Sequence, residues 1–348
     1  MTKTLEKLKA GLDVIPSDVV WYLSDLGVFL GRQQLFYAQS PQKLESLRNH
    51  ALVESAVSSN RIEGIEVDGR RAGTLVFGNA PAANRDEEEV RGYRRALGWI
   101  HTDAGRIDFS QATIQKLHGL ARGEIWDAGR YKDRDGDIVE RYENGETRVR
   151  FRTVSASRTP ESMSALVRLW QESTGERRIP GLIGLAATNL DFLCIHPFRD
   201  GNGRVSRLIW LLQCYHLGYE VGRFISLERI IEQNRDRYYE TLEQSSHGWH
   251  EGTHDPWPYI RFVLFVLKEA YREFETRVNL MAEPRGAKTA KVISVISQEP
   301  GTFTVSHLRA ECPGVSVDMI RRILKDLQKE GKVRCQGRGR GARWIRTG

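Results

Sequence analysis

Cysteine is scarce in this chain: Cys194, Cys214, Cys312 and Cys335 are the only four in 348 residues. None forms a C-x-x-C pair or shows metal-like spacing, which argues against a disulfide scaffold or zinc module and fits reduced thiols in a cytoplasm. Long apolar runs are missing too, and "RFVLFVLKEA" is far too short to span a bilayer. The start, "MTKTLEKLKAGLD", has basic residues but no apolar h-region, so no secretory signal is expected. Neither G-x-x-x-x-G-K-[ST] nor H-E-x-x-H occurs, so nothing points to a P-loop or a zincin site. No fixed-period repeat or low-complexity tract is present. A cytoplasmic protein without membrane contact is expected.

What is present is ordinary for a globular protein, with 40% hydrophobic and 28% charged residues. The length allows two or three domains. The net charge of +7 is unevenly spread. Residues 285–348 hold 14 Lys and Arg against 5 Asp and Glu, while the rest holds 38 against 40. The positive excess therefore belongs to the tail. "NLMAEPRGAKTA", with Pro284 and Gly286, reads as the seam before it. The expected division is an N-terminal helical region over 1–85, a core over 86–282 and a small basic domain over 283–348.

Before the seam, stretches such as "SDVVWYLSDLGVFLGRQQLFYAQ" and "PGLIGLAATNLDFLCI" repeat apolar residues at helical spacing. The fold class is mainly α. One segment, "GRYKDRDGDIVERYENGETRVRFRTV" over 129–154, alternates β-favouring and polar residues around Asp135-Gly136 and Asn144-Gly145. It reads as a β-hairpin, either a surface ornament or an edge that captures an extended partner chain.

"HPFRDGNGRVSR", from His196 to Arg207, stands out. Pro197 disfavours helix at His196, so one helix ends near Ile195 and another begins within the glycines. Backbone amides of Gly201, Asn202 and Gly203 at that amino end favour an anion, and the Asn202 side chain can donate as well. Arg204 and Arg207, three apart, would project together from the first turn as a polyphosphate clamp. Asp200 can hold Mg²⁺ against the same phosphates. His196 suits the removal of a hydroxyl proton, and Phe198 should point inward and pin the loop. A His before Pro, or Asp-Gly-Asn-Gly, alone reads as structure. Together they supply base, metal ligand, anion nest and charge clamp, the parts that phosphoryl or nucleotidyl transfer requires.

This stretch resembles the Fic family motif H-P-F-x-[DE]-G-N-G-R-x-x-R at every defined position. The body from about Asp86 to Val278 looks like the helical Fic core, with the hairpin in place of the family's target-binding flap. The resemblance implies AMP transfer from ATP to a Tyr, Ser or Thr hydroxyl, with pyrophosphate released. It implies His196 as general base and Asp200 as Mg²⁺ ligand. Gly201, Asn202, Gly203, Arg204, Val205 and Ser206 would bind nucleotide, with Arg207 on its terminal phosphate. "NRDRYYETL" resembles the segment lining the adenine side, with Tyr239 favoured over Tyr238 and Asn234. Upstream, "SSNRIEG" matches the inhibitory signature [ST]-x-x-x-E-[GN] at Ser59, Glu63 and Gly64. Locally it reads as a helix ending on a Gly cap. In the family, Glu63 would pair with Arg207 and displace the terminal phosphate. Some relatives also use this Glu to remove AMP, so a de-AMPylase is an alternative.

The tail reads as three helices, a strand, a Gly/Arg-rich turn and another strand, similar to a winged helix with Ser316 or Asp318 capping the third helix. Arg321, Arg322 and Lys325 on that helix, with Arg338, Arg340 and Arg343 in the wing, suit nucleic-acid phosphates. A dimerisation or docking module with a solvated basic face is the other reading. Expected partners are a protein substrate at the 129–154 hairpin, DNA at 285–348 and a second copy of the chain. A DNA-binding regulator whose Fic body senses nucleotide is a further alternative.

Overall fold

The apolar spacing resolves into helices α1 (Lys3–Ala10), α2 (Ser17–Tyr37), α3 (Pro41–Ile62), α4 (Gly69–Phe77), α5 (Arg85–Asp103), α6 (Gln111–Arg122), α7 (Thr159–Gly175), α8 (Gly181–Ile195), α9 (Asn202–His216), α10 (Leu227–Gln233), α11 (Arg235–Ser246) and α12 (Trp257–Met281). They come from a computed structural model, which describes all residues except 1, 13, 38–40, 79–81, 124, 142–144, 177, 282–285, 300, 338–341 and 348. The chain is mainly helical and forms two compact units, residues 1–277 and 278–348. Residues 1–85 therefore share a unit with most of 86–282. Pro284 of the expected seam lies outside the described residues.

The first unit is built around α8, whose apolar residues surround the helix because nearly the whole helix is buried. Asn189 ties it to two neighbours: its side chain donates to the Ser206 carbonyl in α9 at 2.7 Å and accepts from the Tyr259 hydroxyl of α12 at 2.7 Å. Asp191 caps a third element. Its carboxylate accepts from the Thr4 and Leu5 amides of α1, both at 2.9 Å, and from Trp249 Nε1 at 2.7 Å. Burial pushes this carboxyl up to about 6, although the same donors favour its charged form.

α3 leads into the Ser59–Gly64 stretch. It ends in a left-handed Gly64 (φ +82°), with the Ile65 amide closing on the Asn60 carbonyl at 3.0 Å. Ser55 and Tyr93 both donate to buried Glu228, tying α3 and α5 to α10.

The hairpin forms as expected, with β1 (Ile138–Arg141) antiparallel to β2 (Thr147–Phe151) and Val139 opposite Val149. Asn144 lies outside the described residues. Asp135-Gly136 falls before β1 in the stem rather than at the turn, and the Asp135 carboxylate accepts from the Ala156 amide at 2.7 Å.

The second unit contains α13 (Ala287–Gln298), α14 (Val305–Glu311), α15 (Val317–Lys329) and strands β3 (Phe303–Thr304), β4 (Val333–Gln336) and β5 (Arg343–Arg346). The sheet is antiparallel in the order β3-β5-β4. Ser316 caps α15 by accepting from the Met319 amide at 3.2 Å, so the cap is Ser316 rather than Asp318. α15 buries Ile320, Ile323, Leu324 and Leu327 against Val292, Phe303 and Val333. Arg321, Arg322 and Lys325 are left exposed on its other side, and Arg343 is exposed in β5. Arg338 and Arg340 lie outside the described residues.

Candidate active site

The loop between α8 and α9 is held from several sides. His196 ends α8 in a left-handed conformation (φ 52°), the one positive-φ non-glycine among the described residues. Pro197 makes extended backbone the expectation at His196. The left-handed turn instead lets the His196 amide reach the Phe192 carbonyl at 2.9 Å and close the helix. Phe198 is buried as expected, its ring 3.8 Å from that of His118 and parallel to it. The Asn202 side chain clasps this residue, accepting from the Phe198 amide at 2.9 Å and donating to its carbonyl at 2.8 Å. Asn202 was expected to aim that donor at an anion. The side chain instead shapes the loop, and the Gly201 amide donates to Asp200 Oδ1 at 2.6 Å, so the amino end of α9 offers an anion the Asn202 and Gly203 amides.

That amino end has a left-handed Gly201 (φ +80°) and Gly203 one residue into the helix. A Cβ on Gly203 would collide with Glu63 Oε1, so the missing side chain is what lets a carboxylate rest here. Arg207 Nη2 donates to Glu63 Oε1 at 2.8 Å and to the Ser59 carbonyl at 2.8 Å, while its Nε donates to Ser59 Oγ at 2.8 Å. Burial works against a charged Arg207, but the Glu63 carboxylate together with Tyr238 and Tyr93 outweighs that and favours the cation. Arg207 Nη1 is buried with no hydrogen-bond partner among the described residues. The Tyr239 hydroxyl donates to the Ile62 carbonyl at 3.3 Å, steadying the turn that presents Glu63.

The two arginines do not act as a pair. Arg204 is fully buried and turns inward, its Nη1 donating to Glu89 at 2.5 Å and to Asn60 Oδ1 at 3.3 Å. Glu89 also accepts from Arg122 Nη1 at 2.7 Å, and the same nitrogen donates to Asp200 Oδ2 at 2.8 Å. Arg204 therefore braces the loop, and the expected two-pronged clamp reduces to Arg207. Partial burial raises the Asp200 carboxyl, but Arg122, Arg204 and the Gly201 amide together hold it below the usual carboxylate range. With its side chain 56% exposed beside the nest, Asp200 suits a hard cation that takes one carboxylate plus phosphate oxygens. No cluster of three or more His, Cys, Asp or Glu able to hold a metal unaided occurs among the described residues. Val205 is buried in the core, and Ser206 Oγ donates to the Gly203 carbonyl at 2.7 Å.

Glu63, Gly203, His196 and Tyr239 line one cleft of about 280 Å³, with Arg150 and Phe151 of β2 on its hairpin side. Tyr238 is buried and also lines it. Asn234 sits at the junction of α10 and α11, donating to the Ile230 carbonyl at 2.9 Å. The His196 ring is half-buried, with Nδ1 3.3 Å from the Leu193 carbonyl. A carbonyl can only accept, so the proton belongs on Nδ1, and the Nε2 lone pair has no hydrogen-bond partner among the described residues. Burial, with Lys132 nearby, pushes this imidazole down to about 4, so it is neutral at physiological pH.

Two supporting residues escaped the sequence reading. His118 accepts from the Gly129 amide at 2.8 Å and meets the Asp200 carbonyl through Nε2 at 3.0 Å, joining the hairpin stem to the loop. Lys132 joins them again: its amide donates to the Pro197 carbonyl at 2.8 Å, and its ammonium donates to Thr153 Oγ1 at 2.8 Å and the Ile195 carbonyl at 3.2 Å. Neither stands in a local motif, and only the fold brings them to the loop.

Among comparisons with known proteins, a family model covers this region. Residues 108–214 match the Fic/DOC family model. A stretch of 80 residues is 38% identical to the protein adenylyltransferase Fic of Nematostella vectensis, covering 22% of this chain and 16% of that protein. The chain thus spans only a small fraction of that curated relative. A Fic family protein from Desulfovibrio desulfuricans G20 superposes with a TM-score of 0.63 at 20% identity, over 96% of this chain and 97% of its own. A Fic domain containing signaling protein from Bacteroides thetaiotaomicron gives 0.59 at 19% identity, over 76% of this chain and 98% of its own. At such identities these two show a shared fold. The chain carries a Fic/DOC family domain within a mainly helical protein of that fold.

Proposed function

We propose that the chain is an autoinhibited protein adenylyltransferase that moves AMP from ATP to a Tyr, Ser or Thr hydroxyl, its own included, and releases pyrophosphate. The Glu63–Arg207 contact at the amino end of α9 carries this reading. It sets a carboxylate on an anion nest in the same cleft as a neutral histidine. The curated relative from Nematostella vectensis is a protein adenylyltransferase, which supports the same reaction class.

In this reading, the Asn202 and Gly203 amides and Arg207 bind the phosphate chain once Glu63 withdraws, and Nη1, without a partner among the described residues, gains an acceptor. His196 Nε2 takes the proton of the target hydroxyl as its oxygen bonds to the α-phosphorus, and the bond to the pyrophosphate oxygen breaks. Asp200 would hold Mg²⁺ together with the phosphates, which supplies charge neutralisation there when bound. Tyr239 faces the adenine side. β1 has only β2 as a neighbour among the described residues, so its outer edge is open to an extended target segment.

Intact-mass spectrometry of the Glu63→Gly variant incubated with ATP tests the reading. Gain of one AMP by the protein, or by a lysate protein added with it, is expected. Failure to modify either would sink it.

Exposed Arg321, Arg322 and Lys325 on α15 favour a second, compatible activity, nucleic-acid binding through a winged-helix-like unit at 278–348. A salt-dependent DNA mobility shift is expected, lost with Arg321→Glu and Arg322→Glu together. No shift at low salt would count against it.

A further inference from the structure

His196 is left-handed (φ 52°, ψ 61°) although it is not glycine and stands before a proline. A residue with a side chain persists there only where its surroundings dictate it, and such positions gather at functional sites. α8 supplies part of the constraint through the bond from the His196 amide to the Phe192 carbonyl. That bond closes the helix but does not by itself choose the turn that follows. The rest comes from one residue of the hairpin stem, Lys132, which is 5% exposed. Its ammonium donates to the Ile195 carbonyl at 3.2 Å, and its amide donates to the Pro197 carbonyl at 2.8 Å. The proline ring fixes φ at 197, so two carbonyls held on either side leave the His196 backbone little freedom.

We propose, on the reading of His196 as the base, that Lys132 is its positioning residue. By holding the carbonyls before and after His196, the hairpin stem sets the aim of the imidazole, and α8 alone does not.

The surroundings fit that role. The Ile195 carbonyl is among the last four of α8, which lack partners inside the helix, and a cation at a helix carboxyl end is favoured by the macrodipole. The same ammonium donates to Thr153 Oγ1 at 2.8 Å, and that hydroxyl donates to the Gly136 carbonyl at 2.6 Å. Both legs of the stem therefore meet at Lys132. Beside it, the Tyr131 ring lies 5.5 Å from that of Phe198, two residues beyond His196. Burial pushes the ammonium down to about 8 while Asp135 and Asp137 favour its charge, so it is mostly protonated at neutral pH. A target segment captured by the hairpin and the base that acts on it would share one anchor.

Histidine-selective ¹³C and ¹⁵N labelling reads the ring without catalysis. In the unsubstituted protein the His196 ring, assigned by its loss in His196→Ala, should carry its proton on Nδ1. Lys132→Met keeps the amide and the length of the side chain but removes the ammonium. Its His196 signals should shift and broaden as the Nε2-protonated tautomer appears, while buried His101 on α5 stays in place and reports an intact core. In a Glu63→Gly background the same change should lower kcat for AMP transfer by roughly 30-fold or more, as misaimed groups do. KM for ATP should stay within about twofold, a split that general destabilisation would not give. Lys132→Arg, which keeps a cationic donor, should recover most of the loss. Thr153→Val removes the ammonium's other acceptor with little change of shape; it should displace the His196 signals by less, and it serves where Lys132→Met does not fold. Unmoved His196 signals in either folded variant would overturn the proposal, as would a raised KM with kcat unchanged. If Glu63→Gly transfers no AMP at all, the proposed reaction fails, and the ring signals still decide whether Lys132 sets His196.

Discussion

Replacing Glu63 by Gly removes the carboxylate that rests against Gly203 and Arg207. ATP binding in the unsubstituted protein has to break that contact first, so the apparent affinity is the intrinsic one reduced by the fraction of molecules with Glu63 withdrawn. A hydrogen bond to a charged group contributes about 1.5–3 kcal/mol when well buried. Glu63 is 30% exposed and partly screened, and Arg207 keeps both Ser59 contacts when Glu63 leaves. A contribution of about 1–2 kcal/mol is therefore reasonable, which is roughly 5- to 30-fold in affinity. Titration calorimetry with ATP, in a His196→Ala background that prevents turnover, should show tightening of that size for Glu63→Gly. Glu63→Gln, which keeps a weaker neutral contact, should fall between. If Glu63→Gly binds ATP within twofold of the parent while Arg207→Ala binds far more weakly, Glu63 is no competitor for the nucleotide and the latch is wrong.

His196→Ala should abolish AMP transfer while ATP binding changes by less than twofold, and residual transfer would remove His196 as the base. Because His196 is already neutral above about pH 4, transfer by Glu63→Gly should show no inflection near 6.5 between pH 8 and 6; an inflection there would mean the imidazole is not depressed. Asn202→Ala loses two buried hydrogen bonds to Phe198, so urea unfolding should report about 2–3 kcal/mol of lost stability. A loss under 0.5 kcal/mol, within the range typical of surface changes, would mean the clasp is dispensable. Burial depresses His101 to about 3 and His118, His196 and His254 to about 4, so between pH 6.5 and 4 the unfolded chain binds more protons than the folded one. Stability should fall as pH falls through that window, by up to about 1.4 kcal/mol per pH unit for each histidine. Asp191, raised to about 6, opposes this but is one group against four. Equal urea midpoints at pH 7 and 5 would contradict the reading.

The stretch from His196 to Arg207 was legible because its residue types carry their chemistry locally. Proline ends a helix, glycines open the amino end of the next, and the spacing of the arginines follows the helix. Contacts far along the chain were not legible. Arg204 turns inward because Glu89 waits on α5, and the Asn202 side chain folds back onto Phe198 because the loop needs a clasp. His118 and Lys132 stand in no motif, and it is the packing of α6 and the hairpin stem on the loop that gives them a place. The docking of α1 on Asp191 likewise depends on a buried carboxylate more than half the chain away in sequence.

The most direct test of AMP transfer by this cleft is label retention by Glu63→Gly with ATP labelled on either the α- or the γ-phosphate. Protein-bound label from the α-position alone, absent when His196→Ala is added, is the expected result. Label from the γ-position would mean phosphoryl transfer, and label from neither would mean the cleft does not catalyse the reaction.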